Sequence, residues 1–221
     1  MKRTRISPQV IRRLPRYLDQ LDRLIADGAV RVSSAELGRQ MKLTVSQIRQ
    51  DFSCFGKFGQ QGYGYNTRVL RAEIASILGM DRRHTAVLVG AGNLGRALLQ
   101  NFGFAQYGFR MLAAFDVLPG LCGSSIAGVP VYHASELPAF LAENRIDAAV
   151  LAVPQQQAVQ TAAQLAGLGV RAIWNFTNQD LHLSDPNVLV ESIRFSDSLL
   201  ALSYYMKQQA ASDDRKLEEP H

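Results

Sequence analysis

The apolar residues in the first part of the chain recur at steps of three and four, which is the spacing of amphipathic helices. Ser7 and Pro8 suit an N-cap and a first helical position, and Gly28 suits a stop, so one long helix is predicted between them. Its apolar stripe comprises Val10, Ile11, Leu14, Tyr17, Leu18, Leu21, Leu24 and Ile25. Pro15 lies inside this pattern, where it favours a kink.

Two shorter helices are predicted next, with a break around residues 42–44. Ser33 with Glu36, and Thr44 with Gln47, have the spacing of capping boxes. The residues predicted to face inward are Leu37, Met41, Val45, Ile48 and Phe52. Those predicted to project from the second helix are Ser46, Gln47, Arg49, Gln50 and Ser53. This layout is typical of a helix-turn-helix, whose second helix enters the major groove of DNA.

The side chains on that second helix suit DNA bases. Arg49 suits the edge of guanine and Gln50 that of adenine, although a solvated helix face is the alternative for each residue. The stretch "FGKFGQQGYGYN" follows, and its alternating glycines predict a β-hairpin wing. Lys57, Gln61 and Tyr63 of the wing are candidates for contact with phosphates or the minor groove. A further helix then ends a first domain at residue 80, and the polar linker "DRRH" follows it.

The pattern changes after residue 84 to buried apolar runs that alternate with helices. Strands are predicted at 85–89, 111–116, 129–132, 147–154, 171–176 and 187–192, with helices at 93–102, 136–143 and 155–169. This alternation predicts a parallel, doubly wound Rossmann sheet over residues 85–195. The whole chain is therefore α/β, with a winged helix-turn-helix domain before the sheet.

The loop "GAGNLG" after the first strand of the sheet has the spacing of a dinucleotide fingerprint. Gly90 allows a tight turn, Gly92 lets a pyrophosphate approach the backbone, and Gly95 lets helix pack on strand. Asp116 ends the second strand, 21 residues after Gly95, where an acidic residue binds the adenine ribose and disfavours NADP(H). The loop and the ends of strands four and five give the predicted NAD(H) contacts: Gly90, Ala91, Gly92, Asn93, Leu94, Gly95, Asp116, Val153, Pro154, Asn175 and Phe176.

Charge divides the chain at the same place as the pattern. Residues 1–84 hold 16 Lys/Arg and 7 Asp/Glu, a net charge of +9, whereas the rest of the chain has a net charge of −4. This asymmetry favours a first domain that binds nucleic acid. No run of apolar residues is long enough for a membrane span, and no h-region follows the basic start, so a cytoplasmic protein is expected. Cys54 and Cys122 have no metal-ligand spacing and are expected to be reduced thiols.

The sequence offers little for catalysis. None of the histidines has a recognisable catalytic partner, and only about thirty residues follow the last strand, too few for a substrate domain. Residues 196–210 predict one amphipathic helix that lacks a packing site in its own chain, which suggests a partner subunit. Residues 211–221 are predicted to be a disordered tail. The nucleotide is therefore expected to be a signal, and an oxidoreductase or CoA-binding enzyme subunit remains the alternative.

Nearly the whole chain, about residues 5–207, resembles the bacterial redox-sensing transcriptional repressor Rex family. The blocks that carry the resemblance, in order, are "RRLPRYLDQLDRL", "RVSSAELG", "QIRQDFSCFGKFGQQGYGYN", "LVGAGNLGRAL", "FDVLPG", "AVPQQQA", "AIWNF" and "LSYYM". The resemblance implies a homodimer with swapped C-terminal helices that binds a palindromic, AT-rich operator in double-stranded DNA. It further implies that NADH releases the DNA, and that Phe195 lines the nicotinamide pocket.

Several positions depart from the family pattern. Asp19 and Arg194 stand where the family usually has an arginine and an aspartate, so an inter-subunit switch pair is hypothesised to persist with its signs reversed; two unrelated surface changes are the alternative. Asn101 replaces the family tyrosine on the helix of the glycine loop. Gln50, Cys54 and Gln61 replace a usual basic residue, tyrosine and basic residue, and "NFTN" replaces "NFAP". These departures leave open a DNA-binding paralogue with an altered or lost NADH response.

Overall fold

The computed structural model describes residues 6–54, 59–60 and 63–218. The chain divides into two compact units, Met1–Arg82 and Arg83–His221, each with its own hydrophobic core. No helix among the described residues is both long enough and apolar enough to cross a membrane.

In its described residues, the first unit has the helices α1 (Pro8–Ala26), α2 (Ser34–Met41), α3 (Val45–Ser53) and α4 (Thr67–Ile77). The hydroxyls of Ser7, Ser33 and Thr44 each accept a hydrogen bond from the backbone of the following first turn, which confirms the predicted N-caps. Glu36 and Gln47 complete no capping box within the described residues, and the Gln47 amide bonds to Asp51 instead. Lys42, in the left-handed conformation with φ of 56°, makes the turn between α2 and α3. The predicted helix-turn-helix is therefore present. Of the inward set, Val45 is half-buried and the other four residues are buried.

A three-stranded antiparallel sheet completes the first unit. Its strands are β1 (Arg31–Val32), β2 (Gly59–Gln60) and β3 (Gly64–Asn66), in the order β1-β3-β2. The pairing of β2 with β3 confirms the predicted hairpin. Strand β1 was not predicted, because two residues are too short for a periodic signal. Lys57 and Gln61 lie outside the described residues.

The second unit contains a seven-stranded sheet in the order β10-β9-β8-β4-β5-β7-β6. The strands are β4 (His84–Val89), β5 (Phe109–Asp116), β6 (Ser125–Ile126), β7 (Val129–His133), β8 (Ala148–Leu151), β9 (Ala172–Asn175) and β10 (Leu189–Ser192). All are parallel except the short edge strand β6, which pairs with β7 in a hairpin. Without β6, the chain order of the strands is the 3-2-1-4-5-6 order of a Rossmann sheet. The predicted fold is confirmed, and β6 is the strand that the sequence analysis missed.

Helices pack on both faces of this sheet. They are α5 (Asn93–Asn101), α6 (Leu137–Glu143) and α7 (Gln155–Gly167), with short 3-10 turns at Phe104–Tyr107 and Ala134–Glu136. Alternate residues of β4 enter opposite cores: Val87 and Val89 pack with α6 and α7, whereas Leu88 packs with α5. Both faces of the central strand are thus buried, as a parallel sheet requires.

The last helix, α8 (Phe195–Glu218), differs from the prediction at its end. It continues through residues 211–218, where a disordered tail was predicted, so that prediction is wrong for these residues. The segment contains the helix-forming residues Ala, Arg, Lys, Leu and Glu, which are compatible with a helical continuation. Every side chain from Phe195 to Gln209 is exposed in the single chain, including seven large apolar ones. They are Phe195, Leu199, Leu200, Leu202, Tyr204, Tyr205 and Met206.

Candidate functional site

The glycine loop between β4 and α5 has the geometry of a phosphate-binding turn. Gly90 has φ of 96°, and a Cβ there would lie 2.5 Å from the carbonyl oxygen of Ala152. A Cβ on Gly95 would overlap the carbonyl oxygen of Gly90, so only glycine lets α5 approach the strand. By contrast, a Cβ on Gly92 would meet no protein atom within 4 Å. The open space at Gly92 is where a pyrophosphate would approach the N-terminus of α5.

Asp116, at the end of β5, holds this loop in place. Its carboxylate accepts hydrogen bonds from the backbone N–H of Ala91 (2.6 Å) and of Leu118 (2.9 Å). The side chain therefore ties the glycine loop to the turn that follows β5. The sequence analysis did not predict these hydrogen bonds. They hold the carboxylate beside the loop, where a ribose would lie.

A cavity of about 660 Å³ opens beside the loop at the carboxyl ends of β4, β5 and β8. Five of the predicted nucleotide contacts line it: Gly90, Gly92, Asp116, Val153 and Pro154. The sequence analysis missed a polar face of α7 that forms one wall, made by Gln157, Gln160, Thr161 and Gln164. Their spacing of three and four along a helix that begins at the end of a strand was an available signal. The size of the cavity and its mixed lining suit a nucleoside.

Asn175 and Phe176 are buried in the second unit and do not line this cavity. The fully buried Asn175 amide donates to the carbonyl of Gln179 (2.8 Å) and to the hydroxyl of Ser192 (3.0 Å). Its oxygen accepts from the backbone N–H (3.0 Å) and the hydroxyl (2.7 Å) of Thr177. The hydroxyl of Thr177, which distinguishes "NFTN" from "NFAP", is therefore bonded within the loop. Direct contacts of Asn175, Phe176 and Phe195 with a cofactor stay predictions.

Helix α3 exposes most of the side chains predicted to read DNA. Ser46, Arg49, Gln50 and Ser53 are exposed, and the Ser53 hydroxyl donates to the backbone carbonyl of Gln50. Gln47 differs from them, because it is half-buried and its amide donates to Asp51 (2.8 Å).

Tyr63, in the turn that leads into β3, is 68% exposed and is held by Arg31 of β1. The Arg31 guanidinium lies 5.9 Å from the centre of the Tyr63 ring and donates to the Tyr63 carbonyl (3.1 Å). The short strand β1 thus braces the base of the wing. This arrangement leaves the Tyr63 ring on the surface of the first unit, and its contact with DNA stays a prediction.

Asp51 is the most deeply buried acidic residue of the first unit, and sequence analysis missed it. Its carboxylate accepts two hydrogen bonds from Arg13 (2.7 and 2.8 Å), one from the Tyr17 hydroxyl (2.8 Å) and one from Gln47. Burial raises the pKa of Asp51, but the hydrogen bonds from Arg13, Tyr17 and Gln47 outweigh it, and the pKa lies below its ordinary value. We call Arg13, Tyr17, Gln47 and Asp51 the Asp51 cluster; it fastens α3 to α1.

The two residues of the hypothesised switch pair differ in their contacts within the chain. Asp19 is exposed on α1. Arg194, just before α8, forms an ion pair with Asp180 of its own chain. Any inter-subunit partner of Arg194 must therefore compete with Asp180.

Comparison with known proteins covers both units. The chain matches the family model described as putative DNA-binding protein N-terminus over residues 5–53, and that described as CoA binding domain over residues 81–179. It is 42% identical over 208 residues to the redox-sensing transcriptional repressor Rex of Caldicellulosiruptor saccharolyticus, in an alignment that covers 94% of each chain.

Two solved structures of one related protein match almost the full chain. RSP in complex with beta-NAD+ and operator DNA is 40% identical with a TM-score of 0.87, and covers 97% of this chain and 99% of its own. RSP in complex with beta-NADH is 38% identical with a TM-score of 0.87, and covers 96% of this chain and 99% of its own. A sequence identity of this size across both units, with the glycine loop and the helix-turn-helix in place, shows that the chain belongs to the family of redox-sensing transcriptional repressors called Rex.

Proposed function

We propose that this chain is a transcriptional repressor that binds operator DNA as a homodimer and releases it when NADH binds, so that it senses the NADH/NAD⁺ ratio. The observation that carries this proposal is the match of the whole chain to RSP, which has been solved both with operator DNA and NAD⁺ and with NADH. The nucleotide is a signal in this proposal and is not consumed, in keeping with a regulator.

The first unit supplies what DNA binding needs. Helix α3 exposes Ser46, Arg49, Gln50 and Ser53 along one element, and the first 84 residues carry a net charge of +9. Basic residues supply contacts to phosphates and the exposed polar side chains reach base edges. Together with Gln47, Lys57, Gln61 and Tyr63, these residues form the proposed DNA contacts.

The second unit supplies the proposed NAD(H) site. Asp116 at the cavity edge favours a free ribose 2′-hydroxyl and repels a 2′-phosphate, which argues for NAD(H) over NADP(H). The other proposed contacts are Gly90, Ala91, Gly92, Asn93, Leu94, Gly95, Val153, Pro154, Asn175, Phe176 and Phe195. NADH must bind the DNA-releasing state more tightly than NAD⁺ does, since a ligand shifts an equilibrium only through its differential affinity.

The exposed apolar side chains of α8 support a dimer. Leu199, Leu202 and Met206 lie along the helix at steps of three and four and are all more than half exposed in the single chain. A stripe of this kind is buried against a partner in a stable protein. We therefore propose that residues 196–210 exchange between two subunits, which sets the spacing of the two α3 helices on adjacent major grooves.

The proposal predicts that NADH dissociates the protein from its operator. Fluorescence anisotropy of a labelled palindromic, AT-rich operator should fall as NADH is added at constant total nucleotide, and NAD⁺ alone should leave the complex intact. A coupling free energy of about 1–3 kcal/mol corresponds to a change in operator affinity of roughly 5- to 150-fold. By reciprocity, operator DNA should weaken NADH binding by the same factor.

The alternatives give different results in this experiment. A paralogue with a lost NADH response binds the operator at all nucleotide ratios. CoA is the control ligand, because the match to a CoA binding domain supports a CoA site as a second candidate. Release by CoA at concentrations where NADH has no effect would overturn the NADH proposal.

The switch pair gives a second prediction. Asp19→Arg should abolish most of the NADH-driven release, and adding Arg194→Asp should restore it if these residues pair between subunits. Asp180→Asn is the matched control, because it removes the partner that Arg194 has in its own chain. NADH titrations of the operator complex measure all three; a double variant that responds no better than Asp19→Arg would contradict the pair.

A further inference from the structure

The amide of Gln47 has one allowed orientation against Asp51. Its nitrogen lies 2.8 Å from Oδ1 of Asp51, whose side chain is fully buried. An ionised carboxylate accepts hydrogen bonds and cannot donate them. Since the pKa of Asp51 lies below its ordinary value, the carboxylate is ionised at neutral pH. A flip that turned the amide oxygen toward Asp51 would place two acceptors in contact without water, so the nitrogen stays inward.

The remaining contacts of Asp51 lock this arrangement. Oδ1 also accepts from Nη2 of Arg13 (2.8 Å), and Oδ2 accepts from Nε of Arg13 (2.7 Å) and the Tyr17 hydroxyl (2.8 Å). A carboxylate offers about four lone-pair sites, and with Gln47 all of them are used. The Gln47 nitrogen therefore fills the last place on a saturated acceptor, and leaving it would strand a buried lone pair.

The oxygen of the Gln47 amide makes none of the hydrogen bonds of the Asp51 cluster. The described residues donate no hydrogen bond to its oxygen, and its neighbours Ser46 and Gln50 are exposed on the same helix. Gln50 makes a useful contrast, since its side-chain amide has no hydrogen bond within the described part of the chain and is free to turn either way. One glutamine of the helix is thus fixed and the other adaptable.

We propose that Gln47 is a specificity-determining residue of α3, whose fixed amide oxygen accepts a hydrogen bond from the exocyclic amino group of adenine or cytosine. Guanine and thymine present a keto oxygen there, which a fixed acceptor repels. Asp51 acts through Gln47 as a positioning residue and does not touch DNA. The proposal rests on the proposed function, in which α3 enters the major groove.

Selection of duplexes from a randomised operator library tests this assignment. The wild-type protein should prefer adenine or cytosine at one position of each half-site by about 10-fold, the lower end of the 1–3 kcal/mol expected for a base contact. Gln47→Met removes the hydrogen bonds at similar length and should flatten the preference at that position alone. Gln40→Met, at an exposed glutamine of α2 outside the proposed DNA contacts, is the matched control and should leave it unchanged.

Base analogues at that position separate the amino group from the rest of the base. Replacing adenine by unsubstituted purine, or cytosine by 2-pyrimidinone, removes only the amino group and should weaken wild-type binding about 10-fold. The Gln47→Met protein should bind both duplexes equally. A preference that survives in Gln47→Met, or a wild-type preference for guanine or thymine at every position affected by Gln47→Met, would overturn the proposal.

Two variants of the cluster test the positioning role. Asn at position 51 can donate or accept, so Asp51→Asn should let the Gln47 amide flip and relax the preference for amino-bearing bases. Tyr17→Phe removes a donor but keeps the carboxylate, so it should retain the preference, and an unchanged preference in Asp51→Asn would contradict the role of Asp51. Wild-type protein that binds all duplexes alike would instead refute the proposed function itself.

Discussion

Gly92→Ala is expected to lower the affinity for NADH by about 100-fold, or roughly 2.7 kcal/mol, while the unliganded fold persists. A Cβ at this position meets no protein atom within 4 Å, and φ is −65°, so alanine fits the loop. The same methyl group would occupy the space through which a pyrophosphate reaches the N-terminus of α5. Isothermal titration with NADH measures the loss, and the melting temperature reports the fold.

Two other glycines serve as references for this variant. Gly95→Ala should destabilise the second unit, because its Cβ overlaps the carbonyl of Gly90 and the helix must shift; about 3 kcal/mol is expected for a contact that cannot relax. Gly167→Ala, at the end of α7 and with open space around it, should change neither NADH affinity nor stability by much. NADH bound normally by Gly92→Ala would refute the assignment of this loop to the pyrophosphate.

Sequence patterns predict the fold well where a signal repeats along the chain. The stripe of α1 and the caps at Ser33 and Thr44 are local, so the helix-turn-helix follows from them. Strands β1 and β6, with two residues each, carry no periodicity and become visible only through their partners. The prediction of a disordered tail after residue 210 was wrong for residues 211–218, because a polar composition is compatible with both a disordered tail and a helix.

Among the candidate site residues, those of a local motif were found from the sequence, whereas those fixed by contacts distant in sequence were not. Gly90, Gly92 and Asp116 belong to a motif with fixed spacing, and all three line the cavity. Asn175 was predicted from its place at a strand end, and that place does not specify the hydrogen-bond partners of its amide. In the structure, the amide oxygen accepts hydrogen bonds from Thr177. Asp51 was missed because its partner Arg13 is 38 residues away in sequence and no pattern links the two.

The Asp51 cluster also carries the largest expected effect on the stability of the first unit. Asp51→Ala should destabilise it by about 3 kcal/mol, the lower end for breaking a buried pair, because the substitution leaves the half-buried Arg13 guanidinium without its counter-charge. Asp22→Ala, on α1 together with Arg13, is the matched control: the Arg71–Asp22 pair is exposed, so about 0–1 kcal/mol is expected. Hydrogen exchange of peptides from α1 and α3 measures the first unit separately from the rest. Equal protection in Asp51→Ala and Asp22→Ala would contradict the cluster's role.

The pH dependence follows from the direction of each pKa shift. The pKa of Asp51 is lowered, so its contribution is fully present above the unfolded value of about 3.9 and is lost as the pH falls through the lower folded value. Burial and the hydrogen bond to Asp51 raise the pKa of Tyr17, so its contribution is present below the unfolded value of about 10 and is lost as the pH rises above it. The protection of α1 and α3 should therefore be level between about pH 5 and 9 and fall on both sides. Tyr17→Phe should remove the alkaline loss and keep the acid one, since phenylalanine has no proton to release while Asp51 keeps the salt bridge with Arg13. An alkaline loss of equal size in Tyr17→Phe would assign it to groups outside the cluster.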